Sequence, residues 1–365
     1  MVEIEPDSEK SIRELIVNGR QVANDTALKF GDTSLMTRLL VPDSSEDYVS
    51  FSSTLAALPD CEAVEFDFGQ AKFATPGWMI VVGGALRQFR SDRPDVKRRA
   101  TNYKHLGYAA HAGFFQFFGL SFGKLPAAAP SSERFIPIQN VVADSIREQA
   151  TDEMKHHGDV IQNASEDLVE VLLQARKGDA FDTLAYSIRE IIRNVIEHSG
   201  SEDYAYAAQY WPALGKAEIA IADRGIGLAS SLSSNPNFRD VDDLSALDLA
   251  TRPGVSSKNW RNQRSKGVWA NSGFGLYMVK GLCLKSGGAF SLISGSQSAA
   301  WTRRGSSNGL TSTAGTTVIM NIDSNNINDL TDHLAELRTD AGQRKEGITE
   351  PSPASMSLKP GRGPE

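Results

Sequence analysis

The chain has 365 residues, 40% hydrophobic and 23% charged, a size and composition that predict two or three globular units and exclude one small module or wholesale disorder. Its 38 Lys and Arg against 45 Asp and Glu leave a net charge of −7, which excludes a surface built throughout to coat nucleic acid. Cys61 and Cys283 lack metal-ligand spacing, no apolar run approaches the ~18 residues of a membrane span, and the first ten residues are acidic and polar, so the expectation is a cytoplasmic protein without disulfides, zinc or membrane insertion.

Residues 1–30 mix charge with sparse apolar positions and read as an extension containing one loose helix. Residues 31–125 read as a small α/β domain. Ala63–Phe68 alternates like a half-buried strand, and the apolar Trp78–Leu86 follows a Pro76-Gly77 turn. The Pro-, Ala- and Ser-rich stretch from Pro126 to Ser132 opens a linker drawn to residue 150, with a second unit starting near Phe135 or slightly later. That unit is drawn as 151–322, followed by a helix over 323–340. The 341–365 tail, with four Pro and four Gly, is expected to be disordered.

The second unit opens with two helical patterns, 165–177 and 181–199. In the latter Leu184, Ile188, Ile191, Ile192 and Val195 form a buried stripe, and Glu190, Asn194 and His198 stack in one row along its edge. From that edge Glu190 could polarise a water and Asn194 could offer its oxygen to a hard cation such as magnesium, or the row could be a satisfied polar border. Ala217–Ala222 reads as a strand running into Asp223-Arg-Gly-Ile-Gly227, where Gly225 and Gly227 permit close approach to a ligand or simply turn the chain. Gly273 and Gly275 precede a helix from Leu276 onward, a turn whose free amides and helix dipole suit phosphate. Strands are expected over 289–294 and 315–322.

Between Leu249 and Ile322 there is no Asp or Glu, while Arg252, Lys258, Arg261, Arg264, Lys266, Lys280, Lys285, Arg303 and Arg304 all lie there. Such a block points to a localised anionic ligand, or to a solvated face paired with acids from elsewhere.

Taken in order, the ExxxN helix, the strand with DxGxG, the basic segment, the GxG helix and the two strands with Gly-Thr resemble the GHKL, or Bergerat-fold, ATP-binding domain over about residues 150–322. The resemblance implies an α+β chain whose C-terminal unit is a mixed sheet with helices on one face, binding ATP and magnesium. It places Glu190 as general base, Asn194 as magnesium ligand and Asp223 as adenine reader. Gly225 and Gly227 belong to the nucleotide loop, Gly273, Gly275 and Leu276 to the phosphate turn, Lys258 and Lys266 to an ATP lid, and Thr316 to the adenine side. The Glu190–Asn194–His198 row is similar to the anti-sigma-factor serine kinases. Histidine kinases usually carry Asn where Glu190 stands, and no phosphoacceptor histidine motif is present.

Val64–Gly77 followed by an apolar helix resembles the core of a STAS domain, with Thr75 where that family's phosphorylated serine falls and Ala74 in place of its usual Asp. The expectation is an ATP-binding, ATP-hydrolysing regulatory protein that couples nucleotide state to its N-terminal domain or to a protein partner, with the homodimers common in the family. The alternatives are a serine/threonine protein kinase of the anti-sigma type and a sensor that binds ATP without turnover. A nucleic-acid binder using the basic block with Trp260, Trp269 and Trp301 is the remaining, disfavoured reading.

Overall fold

Two larger sheets of opposite character and a two-stranded hairpin are found in the computed structural model, which describes residues 15–17, 20–22, 36–142, 157–257 and 273–329 and positions 332, 333, 336, 337 and 339. At the N-terminus β1 (Leu15–Val17) and β2 (Arg20–Val22) pair antiparallel where a loose helix was expected. The β-branched Ile16 and Val17 favour extended backbone, and Asn18-Gly19 is a strong two-residue hairpin signal that the helical reading overlooked.

The smaller sheet is parallel. Its elements run β3 (Met36–Leu40), α1 (Phe51–Ala56), β4 (Ala63–Asp67), α2 (Pro76–Asp92) and β5 (Lys97–Thr101), with the short helices α3 (Gly107–His111) and α4 (Phe114–Phe117) following. The strands pair in the order β3-β4-β5, and α1 and α2 supply the crossovers that parallel neighbours require. Alternation on β4 sends Val64 and Phe66 inward against α2, while Glu65 and Asp67 on the other face lie under the guanidinium groups of Arg99 and Arg38. Trp78, fully buried in the first turn of α2, donates from Nε1 to the Pro42 carbonyl at 2.8 Å.

The larger sheet comprises β6 (Phe135–Val142), then, after helices α5 (His157–Leu173) and α6 (Asp179–His198), strands β7 (Asp203–Trp211) and β8 (Lys216–Asp223). Helices α7 (Gly227–Ser233), α8 (Asp243–Ala250) and α9 (Gly275–Lys285) precede its last strands, β9 (Ala289–Thr302) and β10 (Gly305–Asp323). The order is β6-β7-β8-β10-β9, so the expected linker over 126–150 contains an edge strand of this sheet. Every pairing is antiparallel, not mixed; short turns make this necessary for β7–β8 and β9–β10, and β6–β7 and β8–β10 follow longer connections. The β9–β10 hairpin also extends well beyond the two strands expected. Its outer half, Gly295–Thr302 with Gly305–Ala314, is rich in Ser, Thr and Gly and lacks the apolar alternation that marks a strand.

Helices cover both faces of this sheet, where one covered face was expected. On the front, α5, α6 and α9 pack on Ala208, Ile219, Ile221, Val318 and Met320. On the back, α2 of the N-terminal unit lies across Ala205, Ala207, Ala220 and Ile319, and the small alanines let the helix come close. After β10, Ser324–Asp329 is a 3-10 turn. Positions 332, 333, 336, 337 and 339 are helical, and the rest of the expected 323–340 helix and the 341–365 tail lie outside the described residues.

Candidate functional site

Helix α6 carries its apolar residues at helical spacing, so Leu184, Ile188, Ile191, Ile192 and Val195 are all buried against the front of the sheet. Glu190 and Asn194, one turn apart, flank that stripe and line a cavity between α6, β8 and α9. Glu190 is only 4% exposed. Its Oε1 lies 3.5 Å from Nη1 of Arg193, a buried ion pair within the same helix.

Strand β8 sends Ile219, Ile221 and Asp223 to the front and Glu218, Ala220 and Ala222 to the back. Asp223 therefore exits the strand into the cavity, 5% exposed. Its Oδ1 accepts the Gly225 amide at 2.7 Å, and the Thr316 amide donates to the same carboxylate. Burial outweighs these bonds and pushes the Asp223 carboxyl up to about 6. A β-bulge in β10 brings Thr316 within reach. Gly315 there has φ +76°, and a Cβ would stand 2.3 Å from the Asp223 carbonyl oxygen. Ser294 locks the two loops together: its Oγ accepts the Leu228 amide and donates to the Gly315 carbonyl, both at 2.9 Å.

The opposite wall is the amino-terminal end of α9, where Gly273, Gly275 and Leu276 face Val255, Ser256 and Ser257. The space between, with its open mouth, is about 980 Å³. It brings together Glu190, Asn194, Asp223, Gly227, Gly273, Gly275, Leu276 and Thr316, over an apolar floor that includes Ile191, Val195, Ile221 and Val318. Gly225 does not line it. A Cβ there would sit 2.1 Å from the Ser199 carbonyl oxygen, so this glycine serves the packing of the loop against the end of α6, not approach to a ligand.

Lys258 and Lys266 lie outside the described residues, as do Arg261, Arg264, Trp260, Trp269 and the side chain of His198. Four of the five described members of the basic block are turned to other tasks, and the fifth, Arg304, is exposed. Arg252 pairs with Asp248 and Lys285 with Glu336, while Arg303 donates to the Leu284 and Lys285 carbonyls. Lys280 donates to Thr251 Oγ1 at 3.0 Å and sits 3.9 Å over the Trp301 ring. None of these lines the cavity.

Among the described residues no group of three His, Cys, Asp or Glu side chains could hold a metal. The exposed Asn194 offers the cavity an amide oxygen, which suits an ion that keeps its waters and takes the rest of its shell from a phosphate ligand. Thr75, the position compared with a phosphorylated serine, caps α2 by accepting the Trp78 amide at 3.2 Å. Its hydroxyl also bonds Glu218.

Glu218 was unmarked in the sequence reading. It is 7% exposed on the back of β8 and accepts the Gly77 amide of α2 at 2.6 Å, with Asn321 as a further partner. Burial raises its carboxyl. Tyr204-Ala205-Tyr206-Ala207, with alanines alternating against tyrosines, was the available signal for a strand packed closely on one side. Comparison with protein-family models and with curated proteins finds no match to the chain.

Proposed function

We propose that this chain is a magnesium-dependent ATP-binding regulatory protein of the GHKL kind, hydrolysing ATP and coupling the nucleotide to its parallel-sheet, STAS-like N-terminal unit or to a protein partner. The observation that carries the reading is the pairing of opposites in one cavity. At one end a buried carboxylate, Asp223, is met by backbone amides and, among the described residues, by no cation; at the other a glycine turn opens the positive end of α9. A ligand with an amino-bearing base and a phosphate tail satisfies both.

The base edge would donate its exocyclic amine to Asp223 over the apolar floor, with Thr316 alongside. The phosphates would meet Gly273–Leu276 and the serines of the Val255–Ser257 strip. Asn194 would hold magnesium, whose charge would offset that of the phosphates. Glu190 would orient the attacking water and accept its proton.

The ion pair between Arg193 and Glu190 favours a second reading, a sensor with little turnover, because a cation beside a carboxylate weakens it as a base. Isothermal titration with magnesium and ATP, then GTP, tests the binding claim. A preference for ATP of roughly tenfold to a hundredfold is expected, since guanine presents an acceptor where adenine presents a donor. Equal affinities, or no binding, would sink it. Phosphate release then separates ATPase from sensor.

A further inference from the structure

The Asp223–Gly227 loop is tied to the N-terminal unit through the sheet. Arg87, on α2, lies 4.6 Å over the Phe117 ring, donates from Nη1 to Asn140 Oδ1 of β6 at 3.0 Å, and from Nη2 to Asp203 Oδ2 at 2.6 Å. Asp203 is the first residue of β7 and 8% exposed. Its other oxygen, Oδ1, accepts from Nε and Nη2 of Arg224 at 3.2 and 3.1 Å. Arg224 is the residue between Asp223 and Gly225. Its amide donates to Ser201 Oγ at 3.1 Å, and Ser201 in turn donates to Ser199 Oγ from its amide at 3.0 Å. Ser199 lines the front cavity and accepts the Ile226 amide on its carbonyl at 2.8 Å. A small space lined by Arg87, Asp203, Arg224 and the reverse side of Asp223 separates α2 from the loop.

One carboxylate thus holds two guanidinium groups, one from each unit, each on its own oxygen. Burial alone would raise the Asp203 carboxyl, yet the two arginines hold it below the usual aspartate value. Removing Arg87 leaves a largely buried oxygen without its donor, a costly state that favours turning of Asp203 or a shift of Arg224 toward it. Arg224 belongs to the loop that contains Asp223 and is held at both ends, its guanidinium by Asp203 and its amide by Ser201 Oγ, so the pull of Asp203 bears on that loop.

We propose that Arg87, together with Asp203, is a positioning residue for the front cavity: the N-terminal unit sets the placement of the Asp223–Gly227 loop through the chain Arg87–Asp203–Arg224, so that nucleotide affinity and base selectivity depend on how α2 is docked. This rests on the nucleotide reading above. Linkage makes the dependence reciprocal, so a ligand that fixes the loop also fixes α2.

The test uses the full chain, titrated with magnesium-ATP and magnesium-GTP. Arg87→Gln is expected to weaken ATP by about fivefold or more, in the range of coupling between sites, and to shrink the ATP-over-GTP ratio. Arg87→Lys, which keeps a charged donor but cannot span Asn140 and Asp203 together, is expected to fall between Arg87→Gln and wild type, and serves alone if Arg87→Gln does not fold. Arg93→Gln is the control for general loosening, since the Arg93 guanidinium donates to the Leu58 and Pro59 carbonyls and lies over the Phe89 ring, all inside the N-terminal unit. It should leave both affinities unchanged. In an Arg224→Gln background, Arg87→Gln should add nothing, because the path is already cut. Amide exchange over 224–228 should quicken in Arg87→Gln and not in Arg93→Gln.

Wild-type binding with unchanged affinity, selectivity and exchange in the Arg87 variants overturns this proposal alone. Additive losses from Arg87→Gln and Arg224→Gln overturn the path through Arg224. Failure of the wild type to bind ATP overturns the nucleotide reading and this proposal with it.

Discussion

Asp223 and Glu218 ride the same strand on opposite faces, and their difference separates a site from a seam. Both carboxylates are buried, 5% and 7% exposed, and both are raised by burial. Glu218 is closed in by the fold: the Gly77 amide and the Thr75 hydroxyl reach it from the start of α2, and Asn321 from the neighbouring strand β10. Asp223 is held by two amides, Gly225 of its own loop and Thr316 of β10, and otherwise opens on a cavity. The same chemical group, equally buried, is a fastener where its partners come with the fold and a recognition group where room is left for a ligand. Substitutions on the front should therefore change ligand chemistry with little loss of stability, and those on the back should do the reverse.

The largest effect belongs to the front. Glu190→Gln keeps shape and packing, so ATP affinity should stay near wild type and the melting temperature should fall only by the loss of the Arg193 ion pair, while phosphate release falls by about 10²–10⁴, the usual worth of a positioned base. An unchanged rate would move the base elsewhere. A variant that melts far below wild type would erase the contrast between the faces, by making Glu190 a fastener as well.

On the back, Glu218→Ala should cost about 2–4 kcal/mol in denaturant unfolding, from a cavity and from donors of α2 left buried without a partner. Glu218→Gln keeps an acceptor oxygen without a charge to bury and should cost far less. If Ala and Gln prove equally mild, α2 is not fastened at this point. Neither variant touches a residue of the front cavity.

Asp223 gives the intermediate and most diagnostic effect. Its folded carboxyl, at about 6, lies above the ordinary 3.8, so the stability tied to its protonated form is complete below the lower value and is lost as pH rises through the upper one. Asp223→Asn cannot ionise. It should be more stable than wild type by about 1–3 kcal/mol at about pH 8, with the advantage fading toward about pH 4. ATP affinity should fall in the same variant. A constant stability difference across that range would show that burial of the charge is not what Asp223 costs the fold.

These contrasts were unevenly legible in the sequence. The stripe Leu184–Val195 and the strand before Asp223 were readable because each is a local periodicity. The glycine turns were readable as positions, but their reasons were not. Gly225 answers to Ser199 and Gly315 to Asp223, contacts between segments that only the assembled fold brings together. Strand β7 escaped because its alanine face, which admits α2, carries no hydrophobic signal of its own. Arg87, Asp203 and Arg224 were plain charged residues until the sheet set them in line. The basic block misled in part: Arg252, Lys280, Lys285 and Arg303 are engaged locally, and composition cannot distinguish a cation awaiting a ligand from one that caps a helix.

The smallest effect tests the seam at its most delicate contact. Thr75 accepts the Trp78 amide as the cap of α2 and gives its hydroxyl to Glu218. Thr75→Ala should cost about 1 kcal/mol, the ordinary worth of a cap, and Thr75→Ser should restore most of it. Thr75→Asp is the sharper probe. On an isolated helix an aspartate caps as well as threonine and favours the positive end of the dipole, so it would be neutral or helpful. Here it sets a second carboxylate against Glu218 in a space that already disfavours charge, so thermal unfolding should place it below Thr75→Ala, and Glu218→Gln in the same chain should relieve part of the loss. Wild-type stability in Thr75→Asp would mean that Glu218 does not close on Thr75. The N-terminal end of α2 would then be open to a partner, and the distinction between fastener and recognition group would fail on the back face of the sheet.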